Sequence, residues 1–379
     1  MAFIPDDILD QIHSRAADID ETNTFPHDDL ADLRDCGYLA AFVPKEFGGA
    51  GLNTEEICAA QTKLAEAAPA TALAINMHHI IVGLGRHLVA RGVSSGEQIL
   101  TGAVAGEIYA FGISEPSNDL VLFGSTTEAR EDGEGGYTFH GTKIFTSLAP
   151  VWTKLLTFGR EDTEEGSRSV FALVDRADGG FDIKDDWDTL GMRGTQSNTT
   201  VLEGAHAPAS AVLQKVAPGP SLEPVVFGIF AYFEILLAAT YLGIGNRAIA
   251  VAAESVKARR SVKNDDVYAN DPDIRWRLAD AAIAMNSASA EVTLLARDIE
   301  AGAERGMMWL PQLSSAKNAA AEASRHAVEQ AIRACGGSSY YRSHELSRLY
   351  RDCLAGLFQP SDQESLHAAW ANVVLGPIG

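Results

Sequence analysis

The 379-residue chain is poor in cysteine, and its four, Cys36, Cys58, Cys335 and Cys353, lie far apart with no CxxC pair. Such spacing argues against a disulfide framework or a thiolate metal site and fits a reducing compartment. Basic residues are also few. Thirty lysines and arginines stand against 51 acidic residues, a formal net charge of -21, with no local basic patch. Binding to nucleic acid or to an anionic membrane surface is therefore not expected. The start, MAFIPDDILD, lacks the basic and apolar regions of an export signal, so the expected location is the cytoplasm. There is no Walker A loop and no GxGxxG after a strand, and hydrolase nucleophile patterns are absent too.

Long apolar runs are limited to one, Val225 to Gly245, interrupted by the single carboxylate of Glu234. Its length suits a membrane span, but a charge at mid-depth costs several kcal/mol in lipid and no second segment resembles it. A helix buried among other helices is apolar all round, and that is the expected state. Overall, 46% hydrophobic and 21% charged residues describe a globular chain of two or three domains.

What is present falls into three parts. Residues 1–107 favour helix: ILDQIHSRAADI and DDLADLRDCGYL repeat apolar residues at helical spacing, and Asn53 with Glu56 forms a capping-box signal. Residues 108–213 change to short segments rich in β-formers, YTFHGTKIFTS, KLLTF, SVFALVD and TTVLEGAHA, divided by turn clusters such as EDGEGG. An antiparallel β-domain is expected there. Residues 214–379 return to long, Ala-rich helical patterns that read as a bundle. The fold class is thus α+β, mostly α. His78 and His79 fall on different faces of a helix with no further ligand at metal spacing, so they are expected in the core and no metal site is proposed.

Five segments carry a resemblance. FVPKEFGGAGL (Phe42 to Leu52), FGISEPSNDL (Phe111 to Leu120), GTKIFTS (Gly141 to Ser147), LGMRGTQSNTTVLEG (Leu190 to Gly204) and CGGSSYYRSHELSRLYRD (Cys335 to Asp352) follow one another at family spacing. In that order they resemble the FAD-dependent acyl-CoA dehydrogenases. The resemblance implies a helical domain, a middle β-domain and a C-terminal helical bundle, with FAD as cofactor. Phe111, Ile113, Ser114, Phe145 and Ser147 would hold the flavin ring. Asn118 falls where the family keeps a small polar residue near the thioester or its CoA arm. Arg259, Arg333, Gly336 and Gly337 match positions that in the family reach the dinucleotide of a neighbouring subunit, which implies a homo-oligomer, dimer or tetramer.

The sequence also departs from that pattern. Where many members carry the catalytic glutamate of a YEGT-like segment, this chain reads LFQPSD, with Pro360 at the position. Proline offers neither a carboxylate nor an N–H. Members resembling isovaleryl-CoA dehydrogenase carry the glutamate on the first long C-terminal helix instead; counting back ten residues from Gly243, the matching glycine, reaches Phe233, with Glu234 adjacent. A buried carboxylate there would have a raised pKa, useful for taking a weakly acidic proton, so Glu234 is the candidate base. Its alternative role is as partner of a buried cation.

Three functions follow. The first is an acyl-thioester dehydrogenase, acting on acyl-CoA or another acyl thioester, with Glu234 removing the α-proton, hydride passing to flavin N5 and electrons leaving to an electron-transfer flavoprotein. The second is a flavin-dependent monooxygenase on the same fold, which needs no such base and is favoured by Pro360. A silent helical scaffold is the third.

Overall fold

The computed structural model describes residues 3–376 and Ile378. Five helices build the N-terminal part: α1 (Asp6–Thr22), α2 (His27–Asp35), α3 (Thr54–Ala67), α4 (Pro69–Ala90) and α5 (Glu97–Val104). The capping box is present at the start of α3, where the Asn53 side chain accepts from the Glu56 amide and the Glu56 carboxylate from the Asn53 amide, both at 2.9 Å.

The middle part is an eight-stranded sheet: β1 (Tyr109–Gly112), β2 (Glu128–Glu131), β3 (Tyr137–Lys143), β4 (Lys154–Thr163), β5 (Gly166–Asp175), β6 (Phe181–Ile183), β7 (Thr200–Ala207) and β8 (Val212–Val216). The strands run in the order β6-β7-β3-β2-β4-β5-β8, with β1 beside β4. Most pairings are antiparallel, but the sheet is mixed, because β1 runs parallel to β4 and β2 meets β4 in parallel at Glu128. The parallel β1 brings the chain out of the helical domain into the sheet, with its end, Gly112, pointing the following loop at the domain junction. His78 joins the two parts: its Nε2 faces the Leu39 carbonyl at 2.9 Å and its Nδ1 accepts from the Tyr109 amide. Burial pushes its pKa down to about 4, so it is a neutral core residue.

The C-terminal part contains α6 (Pro224–Ala258), α7 (Pro272–Glu300), α8 (Trp309–Cys335), α9 (Glu345–Cys353) and α10 (Gln363–Leu375). Helix α6 is the apolar run, and 89% of its most apolar window is buried inside the fold. It contacts α3, α4, α7 and α8. Small residues allow this crowding. A Cβ on Gly243 would lie 2.4 Å from the Thr62 carbonyl oxygen of α3, and one on Gly245 would lie 2.4 Å from Met285 Sδ of α7. Gly243→Ala is therefore expected to destabilise the protein by about 1–3 kcal/mol through overpacking against backbone that cannot give way. A lower urea midpoint at unchanged m-value would bear this out; an unchanged midpoint would contradict it.

Candidate functional site

A cavity of about 450 Å³ opens where the sheet meets α4, α6 and the segment after α9. One side is apolar. Leu73 and Met77 come from α4, four residues apart on one helix face, while Phe111 of β1 stacks on Phe233 of α6 with ring centroids 5.4 Å apart and planes at 22°. Leu354, Phe358 and Pro360 close the wall from the C-terminal segment.

The other side carries hydroxyls. Ser147 Oγ lies 2.7 Å from Ser197 Oγ, which is in turn 2.7 Å from Thr195 Oγ1. The neighbouring Thr146 hydroxyl is fully buried with no partner among the described residues. Two loops supply these groups, and they are tied together by the amides of Leu148 and Ala149, which donate to the carbonyls of Thr195 and Gln196. Their backbone is strained. Phe145, Leu148, Met192 and Gln196 have φ of 56°, 66°, 54° and 43°, as do Ser117 at 58° and Val121 at 50° in the loop after β1. Non-glycine residues avoid this region unless their surroundings over-determine it, and such residues gather at ligand sites.

Under the loop after β1 lies a fully buried ion pair. Lys143 Nζ donates to Glu115 Oε1 at 2.6 Å and to the Phe158 carbonyl at 2.8 Å. Glu115 also accepts from the Ser125 and Thr126 hydroxyls, the Thr126 and Thr127 amides and Asn118 Nδ2. Burial alone would raise this carboxyl, but the Lys143 ammonium and the hydroxyl and amide donors more than offset it and hold it well below the usual carboxylate range. It is an anchor for the loop that carries Ser114, and it has no lone pair to spare for a substrate proton.

The order of domains is matched by three family models: the acyl-CoA dehydrogenase N-terminal domain over residues 8–92, the middle domain over 110–205 and the C-terminal domain over 235–357. The chain belongs to the acyl-CoA dehydrogenase superfamily. Members of this superfamily are flavin-dependent. Similar curated proteins include the L-evernosamine nitrososynthase of a Micromonospora species, 28% identical over 93% of this chain and 84% of its own, and the mitochondrial isovaleryl-CoA dehydrogenase of Arabidopsis thaliana, 27% identical over 90% and 82%. Among solved structures, KijD3 in complex with FMN and a dTDP-linked amino-keto sugar superposes with a TM-score of 0.86 at 27% identity, covering 98% of this chain and 91% of that one.

The residues present fit a flavin of this superfamily: a flat ring needs an apolar wall on one face and donors at its carbonyl edge, and the stacked phenylalanines and the Ser147, Thr195 and Ser197 hydroxyls provide these. Phe111, Ser114, Asn118, Phe145 and Ser147 all line the cavity. Asn118, however, spends its amide on Glu115 and the Gly124 carbonyl, so it shapes the loop. Ile113, expected at the flavin ring, follows the end of β1, is buried in the core and does not line the cavity, whereas its neighbour Ser114 does.

Glu234 is the larger correction. It is buried and absent from the cavity wall, which Phe233 reaches instead, since one helical residue is a rotation of about 100°. Its Oε1 accepts from the Ser361 amide at 2.9 Å and the Ser361 hydroxyl at 2.7 Å. Burial pushes its pKa up, against the nearby Lys317 and the Ser361 donors. Asp362 caps α10 through the Ser365 amide. Arg259, Arg333, Gly336 and Gly337 lie away from the cavity; Arg259 donates to the Cys335 carbonyl and covers the Tyr268 ring, while Arg333 and both glycines are exposed. Sequence reasoning placed Pro360 at the site but did not single out Phe233, Thr195, Ser197, Leu354 or Phe358 as lining residues. The LGMRGTQSN segment was a usable signal for the first hydroxyl pair, being a turn-rich stretch with several hydroxyls beside a β-segment.

Glu115→Gln is expected to cost on the order of 3–5 kcal/mol, because Lys143 stays buried without its counter-charge. The carboxyl's folded pKa lies well below its ordinary 4.5, so the pair's contribution is complete above 4.5, declines progressively below it and is lost only as pH falls through the folded value. Urea unfolding at pH 7 and then stepwise below pH 4.5 checks both: wild type should lose stability progressively in that acid range, and the variant should start lower and lose less.

Proposed function

We propose that the protein is a flavin-dependent monooxygenase. The observation that carries this reading is the lack of a free base: among the described residues lining the cavity Glu115 is the one carboxylate, and Lys143 and five further donors engage it. Desaturation of an acyl thioester requires a group within hydrogen-bond reach to take the α-proton. Oxygen transfer does not. Pro360 stands in the wall where a dehydrogenase would hold its glutamate, and Glu234 is turned into the protein. An oxygenating use of this fold agrees with the nitrososynthase relative, while the isovaleryl-CoA dehydrogenase relative at similar identity leaves the choice to the cavity's chemistry.

A reduced flavin bound in the cavity would supply two electrons to dioxygen, so that one oxygen atom enters the substrate and the other leaves as water. The chain's own contribution is placement. Phe111, Phe233 and Pro360 exclude water from the reacting side, and the Ser147, Thr195 and Ser197 hydroxyls offer donors where charge gathers on reduction. Among the described residues no free charged side chain lines the cavity, since Arg351, the one cation among them in the wall, is held by Asp20 and the Leu190 carbonyl. The reacting part of the substrate is accordingly small and uncharged. Electrons come from a separate reductant, and an electron-transfer flavoprotein is not required.

FMN and FAD both satisfy the ring contacts. Arg259, Arg333 and the Gly336–Gly337 turn are proposed to serve the dinucleotide half of FAD in a neighbouring subunit, which requires an oligomer for flavin binding. Light scattering is expected to find flavin only in dimers or larger species; a flavin-loaded monomer would remove these residues from the site.

The oxygenase reading is tested by reducing the holoprotein chemically and admitting isotopically labelled dioxygen with a panel of small neutral amines and heteroaromatics. Mass spectrometry should find one labelled oxygen in a product. Peroxide alone across the panel, with reduction of the flavin by an acyl-CoA, would defeat it.

A further inference from the structure

Two buried charges, neither of them on the cavity surface, end on one segment of its wall. Lys317 of α8 is fully buried, and its Nζ donates to the carbonyls of Gly356 at 2.8 Å, Gln359 at 2.6 Å and Ser361 at 3.1 Å. An ammonium has three donors, and all three are spent on this one turn. From α6, Glu234 takes both the amide and the hydroxyl of Ser361. Neutral groups complete the grip: Asn318 Nδ2 donates to the Ser361 carbonyl at 2.8 Å, Ser314 Oγ donates to Ser361 Oγ at 2.9 Å and the Tyr241 hydroxyl donates to Gln359 Oε1 at 2.6 Å.

The gripped residues, Gly356, Gln359 and Ser361, are interspersed with those that face the cavity. Leu354, Phe358 and Pro360 line it, and Gln359 lines it with its side chain while its carbonyl meets Lys317. The helical bonding of the Leu354–Leu357 turn runs on only to the Phe358 and Gln359 amides, both of which donate to the Ala355 carbonyl, and Pro360 and Ser361 have no backbone–backbone bonds among the described residues before α10 begins at Gln363. Its shape is therefore imposed from behind. A buried carbonyl left without a donor costs about 1–3 kcal/mol, so removing one ammonium that satisfies three of them should free the segment.

We infer that Lys317 and Glu234 are positioning residues that fix the Leu354–Ser361 wall and through it decide how large a molecule the cavity admits. The inference rests on the reading of this cavity as the substrate site, but the clamp can be measured without reference to the reaction. Hydrogen exchange is followed by mass spectrometry in the flavin-loaded protein. Lys317→Met and Glu234→Ala should speed exchange across residues 354–361 by about tenfold or more while the β-sheet amides stay as in wild type. Glu234→Gln keeps an acceptor for Ser361, so it should restore protection to within about twofold of wild type. Iodide quenching of the bound flavin's fluorescence gives a second readout, with access rising in the first two variants and not in the third. Where Lys317→Met does not fold, Asn318→Ala removes one donor to the Ser361 carbonyl and should raise local exchange severalfold, about one hydrogen bond's worth.

A uniform rise in exchange over the whole chain would assign these residues to general stability and overturn the inference, as would unchanged protection of 354–361. Loss of flavin reduction by an acyl-CoA in Glu234→Gln, with protection intact, would overturn it in a different way and would also defeat the oxygenase reading. Failure of labelled oxygen transfer with the clamp intact defeats only that reading.

Discussion

Helix α6 can lie at the centre of the molecule because its surface is almost wholly apolar or small, and most of the polar groups it carries inward meet partners, Glu234 Oε2 being left without one among the described residues. The Tyr241 hydroxyl reaches Gln359, and Thr240 shares a bond with Gln61 of α3. Burying an unmatched polar group would cost several kcal/mol, so these partners are a condition of the packing. The same helix supplies the cavity with Phe233 and the wall behind it with Glu234. Fold and site are thus fixed by one element, and a shift of α6 by a single residue would exchange an aromatic wall for a carboxylate.

That single residue is also where reading the sequence reached its end. The order of helices, strands and helices was legible because apolar periodicity is local, and the Asn53 capping box was legible because its two bonds span only three residues. Counting along a motif placed Glu234 beside the expected position; direction around a helix turns by about 100° per residue, so adjacency in sequence became opposition in space. Ile113, just past the end of β1, packs into the core while the neighbouring Ser114 reaches the cavity. The parallel course of β1 against β4 was not legible at all, since their paired residues lie 45 positions apart, from Tyr109 against Lys154 onward. Nor was the grip of Lys317 on three carbonyls, which depends on a turn from a distant segment.

The strained residues tell a related story. Six of the positive-φ side-chain-bearing residues fall in the loops around the cavity, and the hydrogen bonds between the Phe145–Ala149 and Thr195–Gln196 stretches link the two loops that carry Phe145, Leu148 and Gln196. Each such residue costs on the order of 1 kcal/mol or more, and what the arrangement yields is a row of fixed hydroxyls opposite an apolar wall. Preorganised donors of this kind act without rearranging when charge develops. The buried Glu115–Lys143 pair beneath the third loop serves the same end from below.

The account turns on whether the cavity can take a proton from carbon. The most direct measurement is anaerobic titration of the oxidised holoprotein with short, branched and aromatic acyl-CoAs while the flavin absorbance is watched. The account predicts that the flavin stays oxidised with every one of them, because no carboxylate in the wall is free to act as base. Bleaching by any member of the series, abolished by Glu234→Gln, would contradict it.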